Sequence, residues 1–246
     1  MRGKTCINIS MLALKRIGSI LLLVAVAWLL TYLEKPHDTT RSDSFAQNSG
    51  VQTTKPIKSY EDARKVFWRD LYSGEFTTLY CGESYVGLPS RTINIEHVFP
   101  MGWVTHALQC GTRKQCRSNV QFNLIESDLH NLFPSRSDVN EQRGSLRFGE
   151  IPGEAREFGS ACDFEVNKRA RMVEPRPEVR GDIARAMFYM QDRYRAYGLS
   201  IYAKQAKLLK RWHVLDPPDV VERWRNERIE SLQGNRNPYI DNPDSL

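Results

Sequence analysis

The 246-residue sequence lacks several patterns that mark zinc proteins and repeat proteins. No two of its five cysteines are spaced as CxxC, no histidines are spaced as HExxH, and no internal repeat is present. Zinc fingers and zinc proteases depend on such spacings, so these classes are disfavoured. An excess of one charge is also nearly missing. The formal net charge of +6 falls to +3 without residues 1–34, which hold four of the 35 basic residues and one of the 29 acids.

Long apolar runs are absent except at the N-terminus. There, Lys15-Arg16 precedes "IGSILLLVAVAWLLTYL", residues 17–33, which contain no charge. A basic flank before an apolar run predicts a signal peptide or an N-terminal membrane anchor in residues 1–34. Membrane contact would then run through residues 17–33, and the remainder would be exported, because the positive flank stays in the cytoplasm. We expect a periplasmic or secreted protein, either released or membrane-anchored.

The remaining chain divides into a polar stretch and one domain. Residues 35–57 are polar and poor in large apolar side chains, which predicts a linker. Residues 58–246 suit one folded domain, since the chain is 41% hydrophobic and 26% charged. In an oxidising compartment Cys81, Cys110, Cys116 and Cys162 favour two disulfides. Pairing Cys110 with Cys116 would close a short loop, although four cysteines allow three connectivities and zinc ligation is the rival interpretation.

Hydrophobic periodicity gives a coarse map of the domain. Helices are predicted within residues 59–72, 120–134, 180–198, 201–215 and 217–234, and strands within residues 77–87 and 91–99. Residues 104–120 have loop character. Residues 165–211 hold 12 Lys or Arg against five Asp or Glu. That excess fits either a phosphate-binding surface or, more commonly, a solvated helix face.

One constellation carries chemistry. A strand with Glu96-His97 is followed by a loop and by a predicted helix with His130 and Asn131. This order fits a ββα metal finger, in which a neutral imidazole accepts a proton from water and a cation binds the phosphate of a phosphodiester. Mg²⁺ prefers oxygen ligands, so a carboxylate and an amide oxygen suffice. The alternatives are that Asn131 caps a helical turn and that His130 is a core histidine.

Longer motifs resemble those of the bacterial endonuclease I family of periplasmic and secreted nucleases. They occur in family order and cover roughly residues 60–245: "EHVFP", "CGTRKQC", "ESDLHNLFPSRSDVNEQRGSLRFGEI", "CDFEV", "EPRPEVRGDIARAMFYM" and "GNRNPYIDNP". The resemblance implies an α+β fold, with a ββα-metal finger core embedded in a mostly helical single domain. It also implies a monomeric, sequence-non-specific endonuclease that cuts DNA, and in some relatives RNA, to give 5′-phosphate ends.

The resemblance also assigns roles to single residues. His97 would be the general base, Arg113 would contact the scissile phosphate, and Glu96 and Asn131 would bind one Mg²⁺ ion. His130 would be structural or support the neighbouring ligand. Because neighbouring side chains in a strand point to opposite faces, we expect a bulge or distortion at Glu96-His97.

Two further readings compete with the leading one. An RNA-preferring ribonuclease of the same fold cannot be distinguished by phosphate contacts, which carry no base information. A non-catalytic protein that captures DNA predicts damage to the constellation, and Glu96, His97, Arg113 and Asn131 are all present. The chain also departs from many relatives at Glu83, where they have a cysteine, so their disulfide connectivity is not transferred.

Overall fold

The computed structural model describes residues 57–87, 90–153 and 155–246. The signal or anchor predicted in residues 1–34 lies outside the described residues, as does the linker up to residue 56. Within the described ranges, no helix is both long and apolar enough to cross a membrane.

Short helices and strands alternate before the chain ends in longer helices. The α-helices are α1 Tyr60–Val66, α2 Met101–Ala107, α3 Arg113–Cys116, α4 Val120–Glu126, α5 Ser137–Arg143, α6 Arg180–Arg193, α7 Ala203–Leu215, α8 Val220–Gln233 and α9 Pro238–Asp241. The strands are β1 Glu75–Thr77, β2 Ser84–Val86, β3 Ile93–His97, β4 Leu132–Arg136, β5 Arg147–Phe148, β6 Phe164–Asn167 and β7 Met172–Pro175. β1 pairs with β2 and β3 with β4, while β7 lies between β5 and β6.

The pair formed by β3 and β4 is antiparallel and regular. Its register runs from Ile93 opposite Arg136 to His97 opposite Leu132, with no residue left over. The expected bulge is therefore wrong, and Glu96 and His97 point to opposite faces of the hairpin. Both are buried, with 3% of Glu96 and 6% of His97 exposed, because other elements cover both faces.

Helix α5 covers the face that carries Asn94 and Glu96. Asn140 donates from Nδ2 to Oδ1 of Asn94 at 2.8 Å. Arg143 donates from Nη1 to the carbonyl oxygen of His97 at 2.8 Å. Strands β3 and β4 and helix α5 thus form a ββα unit within a mostly helical domain, which confirms the expected α+β class.

An apolar cluster covers the opposite face of β3, which carries Ile95 and His97. A π-helical turn, Phe67–Leu71, continues α1 and adds aromatic side chains to this cluster. Its buried members are Ala63, Phe67, Leu71, Ile95, Leu129, Leu132, Ile229 and Leu232. Phe67 is fully buried, so Phe67→Ala would cost about 3–5 kcal/mol. This packing holds α1 and α8 against the strand that carries His97.

The predicted helix over residues 120–134 ends early. Helix α4 stops at Glu126, and a 3₁₀ turn, Leu129–Asn131, leads directly into β4. The Asp128 side chain accepts a hydrogen bond from the backbone N–H of His130 at 3.0 Å, which caps the new turn instead of extending α4. Phe122, Ile125, Leu129 and Leu132 are spaced 3, 4 and 3 residues apart, as on one face of a single helix, but they belong to different cores. Phe122 and Ile125 pack in a larger cluster, whereas Leu129 and Leu132 pack beside α1.

Other predictions divide in the same way. The helix near residues 59–72 and the three later helices are confirmed. The loop predicted for residues 104–120 is wrong, since it holds most of α2 and all of α3, which Thr112 begins with a capping box. The strand predicted within residues 77–87 is confirmed in part: β2, Ser84–Val86, lies in this range, but residues 78–83 form the turn that joins β1 to β2.

Both expected disulfides are present. Cys81 bonds to Cys162, and Cys110 bonds to Cys116. The first joins segments 81 residues apart and the second closes a loop with a separation of six. The second loop contains Arg113, so it restrains one of the predicted site residues.

Candidate active site

His97 ends β3 with one ring nitrogen bound and the other available. Its Nε2 atom lies 3.0 Å from the backbone carbonyl oxygen of Glu126. A carbonyl only accepts, so Nε2 carries the proton and Nδ1 presents a lone pair. Within the described residues no hydrogen bond engages Nδ1. Burial, followed by the charge of Arg113, lowers the pKa of His97 to about 3. The imidazole is therefore neutral near pH 7, as a proton acceptor must be.

Glu96 is a buried carboxylate that cations and a phenol hold in place. Its Oε1 atom accepts from the Tyr80 hydroxyl at 2.6 Å and lies 2.8 Å from Nη1 of Arg143. Burial raises the pKa of Glu96, while Arg143 and Tyr80 oppose that shift. Both short contacts are made by Oε1. Without such partners the buried charge would be strongly unfavourable.

Arg113 begins α3 and is anchored to the residue that also binds His97. Its Nε atom donates to Oε1 of Glu126 at 2.7 Å, and its guanidinium lies 5.5 Å from the centre of the Tyr60 ring. The Arg113 side chain is 46% exposed, whereas that of Glu126 is 2% exposed. The buried carboxylate therefore orients the guanidinium through Nε, and the terminal nitrogens remain for a ligand. Glu126 couples two predicted catalytic residues, through its backbone and its side chain.

Asn131 does not have the geometry of a metal ligand. It is fully buried, and its amide binds the backbone of Phe99 twice: Oδ1 accepts from N at 2.6 Å, and Nδ2 donates to O at 3.1 Å. It is also absent from the wall of the cleft that holds Glu96 and His97. We therefore correct the predicted metal role: Asn131 ties the chain after β3 to the start of β4.

His130 has a structural role, as expected. Its ring lies 4.5 Å from that of Tyr189, and its Nε2 atom is 3.1 Å from the backbone oxygen of Asn235. Burial lowers its pKa to about 4. The ring is part of the packing between the 3₁₀ turn and α6.

Asn140 was missed by the sequence interpretation and occupies the position expected of the metal-binding amide. It lies on α5 beside Glu96 in the same cleft. Its Nδ2 atom is bound to Asn94 and to the backbone of Ile95, whereas no hydrogen bond among the described residues engages its Oδ1. The sequence offered no local signal for this residue, because its partners Asn94 and Ile95 lie 46 and 45 residues away along the chain.

Glu96, His97, Arg113 and Asn140 line one open cleft of about 1050 Å³. Its wall carries more exposed cations than anions, which suits a polyanion. The lining Arg residues that are partly or fully exposed are Arg64, Arg91, Arg113 and Arg117. Within the described chain, no group of three or more His, Cys, Asp or Glu could hold a metal. Glu96 and Asn140 offer instead one carboxylate and one amide oxygen, a pair that suits Mg²⁺ with its retained waters.

Comparison with known proteins identifies the family. Residues 31–244 match the Endonuclease I family. The chain belongs to the endonuclease I family. Its relatives include an extracellular deoxyribonuclease of Aeromonas hydrophila, 37% identical over 220 residues that cover 80% of this chain and 91% of the relative. A periplasmic deoxyribonuclease of the same organism is 38% identical over 195 residues, or 70% of this chain and 81% of the relative.

A third relative carries a different substrate in its name. It is an extracellular ribonuclease of Bacillus amyloliquefaciens, 35% identical over 134 residues that cover 48% of this chain and 44% of the relative. The match to the endonuclease I family confirms the resemblance read from the motifs and the prediction that the protein is an endonuclease.

Proposed function

We propose that this endonuclease I family member hydrolyses phosphodiester bonds of DNA outside the cytoplasm, without sequence preference, and leaves 5′-phosphate ends. The observation that carries the proposal is the shared anchor at Glu126. Its backbone fixes the His97 tautomer and its side chain orients Arg113. A proton acceptor and a phosphate-binding cation are thereby held in one cleft.

His97 acts as the general base. Nδ1 takes a proton from the attacking water while the water oxygen bonds to phosphorus and the bond from phosphorus to the 3′-oxygen breaks. The Nε2–H···O bond to Glu126 stabilises the imidazolium that forms. A positioned base of this kind contributes about 10²–10⁴-fold to the rate.

Arg113 binds the phosphate. Its terminal nitrogens face a cleft and present the planar donor fork that matches two phosphate oxygens. Such a contact recognises backbone rather than bases, which supports cleavage without sequence preference.

Glu96 and Asn140 would hold one divalent cation, for which Mg²⁺ fits the two oxygen donors best. Such a cation would supply positive charge to stabilise the negative charge that develops in the transition state. The ion pair of Glu96 with Arg143 keeps the carboxylate in position. The hydrogen bonds from Nδ2 of Asn140 turn its Oδ1 atom away from the strand that they bind.

The compartment follows from covalent chemistry and from the relatives. Two disulfides are typical of an oxidising environment, and the compared deoxyribonucleases are named extracellular and periplasmic. These observations support an exported protein, and we propose that it works in the periplasm or outside the cell, either released or held by residues 17–33. We also propose that it acts as a monomer.

RNA is the second candidate substrate. The observation in its favour is the relative named as a ribonuclease. Proton abstraction by His97 and phosphate binding by Arg113 do not require a deoxyribose, so the same site supports cleavage of both polymers.

The test uses purified protein with supercoiled plasmid and, separately, with a long RNA. Each is incubated with Mg²⁺ or with EDTA, and His97→Ala and His106→Ala are run beside the wild type. His106 is an exposed histidine outside the cleft and controls for the loss of an imidazole. We expect plasmid cutting that requires Mg²⁺, survives in His106→Ala and drops about 10²–10⁴-fold in His97→Ala.

Added imidazole gives a further check on the base. It should restore part of the activity of His97→Ala by entering the space left by the side chain. Cutting in EDTA would contradict the metal role, and full activity of His97→Ala would contradict the base assignment.

A further inference from the structure

A second surface groove, lined by basic and aromatic side chains, lies beside the active-site cleft. We define the basic groove by the six residues around its central cavity of about 420 Å³: Trp103, Ser145, Arg147, Arg171, Tyr202 and Lys204. Neighbouring cavities of about 490 and 660 Å³ share several of these residues and lengthen it at both ends. None of the roles derived for the cleft uses this surface.

The basic groove is continuous with the cleft. Gly102 and Ser145 line both the cleft and the 660 Å³ cavity. The two residues touch so closely that a Cβ at position 102 would collide with the Ser145 side chain. They form a low ridge between the two depressions, over which a flexible chain can pass.

The cations of the basic groove have no acidic partners. Arg147, Arg171 and Lys204 line it, and among the described residues none of the three forms an ion pair. Most other cations of the basic stretch over residues 165–211 are neutralised. Representative ion pairs are Arg180–Glu174, Arg185–Glu222, Arg195–Asp192 and Arg211–Glu150. Arg171 and Lys204 are therefore among the cations of that stretch that remain unpaired in the described residues, and both line the groove beside Arg147.

Aromatic rings interleave with these cations. Tyr202 is 45% exposed, and among the described residues its hydroxyl makes no hydrogen bond. Trp103 is fixed by a bond from Nε1 to the backbone oxygen of Ser145 at 3.1 Å and by an edge contact with Phe99, with ring centres 5.6 Å apart. An exposed ring among unpaired cations matches how proteins bind unpaired strands, by stacking bases and following phosphates.

We propose that the basic groove binds the unpaired polynucleotide strand that leaves the active-site cleft, with phosphates on Arg147, Arg171 and Lys204 and a base stacked on Tyr202. The inference rests on the proposed nuclease function and adds a preference for substrates with a single-stranded extension. Duplex DNA gains less from the groove, because its bases are already stacked within the helix and do not offer a free face to Tyr202.

The test compares substrate lengths. Single-stranded DNA of about four and about 20 nucleotides, and a 20-base-pair blunt duplex, are cleaved by the wild type and by Arg147→Gln/Lys204→Gln. The matched control is Lys168→Gln/Lys210→Gln, which removes the same charge. Lys210 lies on α7 like Lys204 but donates to the backbone oxygen of Leu246 at 2.7 Å, and Lys168 is exposed elsewhere.

We expect the groove variant to raise KM for the long single strand with kcat unchanged, and to leave cleavage of the tetranucleotide unaltered. Its slope of log affinity against log salt should become shallower by about 1.4, since each lost phosphate contact on a single strand accounts for about 0.7. Tyr202→Ala should weaken binding of the long strand about tenfold. Tyr202→Phe, which keeps the ring, should restore it.

Failure of this proposal is separable from failure of the nuclease assignment. A wild type that cuts no substrate refutes the proposed function. A wild type that cuts all three, with the groove variant equal to its control on the long strand, overturns the groove proposal alone. The assignment to an unpaired strand would be overturned if the groove variant lost as much activity on the duplex as on the long single strand. It would also be overturned if Tyr202→Phe bound the long strand as weakly as Tyr202→Ala.

Discussion

The Nε2 atom of His97 lies 3.0 Å from the backbone carbonyl oxygen of Glu126. The same Glu126 binds Nε of Arg113 through Oε1 at 2.7 Å. One residue at the end of α4 thus sets the tautomer of His97, the proposed base, with a backbone oxygen that no side-chain substitution removes. It orients Arg113, the proposed phosphate-binding cation, with a carboxylate that a substitution can remove. The two effects can therefore be separated experimentally.

Arg113→Gln should lower kcat/KM for DNA by about 10²-fold or more, the usual cost of removing one donor to transition-state charge. Glu126→Gln should cost less, because Arg113 keeps its charge and its ion pair with Glu126 becomes a weaker, neutral hydrogen bond, while the backbone bond to His97 persists. Steady-state kinetics on plasmid or a labelled oligonucleotide measures both. Arg117→Gln, an exposed cleft residue one turn from Arg113, is the control and should change mainly KM. An unchanged kcat/KM in Glu126→Gln would contradict the anchoring role.

Asn140 and Asn131 should respond differently to replacement by alanine. Asn140→Ala should weaken Mg²⁺ binding, measured by calorimetry, with little change in unfolding, because its bonds lie at the edge of the cleft. Asn131→Ala should reduce the free energy of unfolding by about 2–3 kcal/mol, since it leaves the buried N–H and C=O of Phe99 unpaired. Urea denaturation measures the second effect. If Asn131→Ala keeps its stability but no longer binds Mg²⁺, Asn131 and not Asn140 is the metal ligand.

We expect the protein to lose stability in acid because His130 is buried in its neutral form. Burial lowers its folded-state pKa to about 4 from an ordinary value of 6.5. Above pH 6.5 neither state binds the proton. Between pH 6.5 and pH 4 only the unfolded state binds the proton at His130. The free energy of unfolding therefore decreases as the pH is lowered, by about 3 kcal/mol from this residue. His130→Gln should flatten the pH dependence of urea denaturation over that interval. Parallel curves for the variant and the wild type would show that His130 does not titrate in this way.

The two disulfides should contribute unequally to stability. Cys81–Cys162 closes a loop of 81 residues and Cys110–Cys116 one of six. By loop-closure entropy the first restrains the unfolded chain by about 4–5 kcal/mol and the second by about 2 kcal/mol. Replacing each pair by serines and measuring urea denaturation tests the order. The Cys110→Ser/Cys116→Ser variant should also raise KM, because its loop carries Arg113, and a pure stability effect would refute that link.

The amino-acid sequence by itself determined what is local or tied to long motifs. The three late helices follow from apolar periodicity, because side chains three and four residues apart share a helix face. The even number of cysteines in the exported part favoured two disulfides, but the sequence left three connectivities open, and the structure shows which pairs form. The motifs around Glu96-His97 and Arg113 were sufficient to predict the family, and the match over residues 31–244 confirms that prediction.

Only the tertiary structure decided the rest of the finger. The stretch from Phe122 to Leu132 has the spacing of one helix, yet the chain turns at Asp128, and its apolar residues enter two separate clusters. The pairing of β4 with β3 then buries Asn131 against Phe99 and brings Asn140 beside Glu96. Which asparagine faces the cleft depends on a long-range register and on the packing of α5. No local pattern encodes that choice, because the partners that fix each asparagine, Phe99 for Asn131 and Asn94 and Ile95 for Asn140, lie 32 to 46 residues away along the chain.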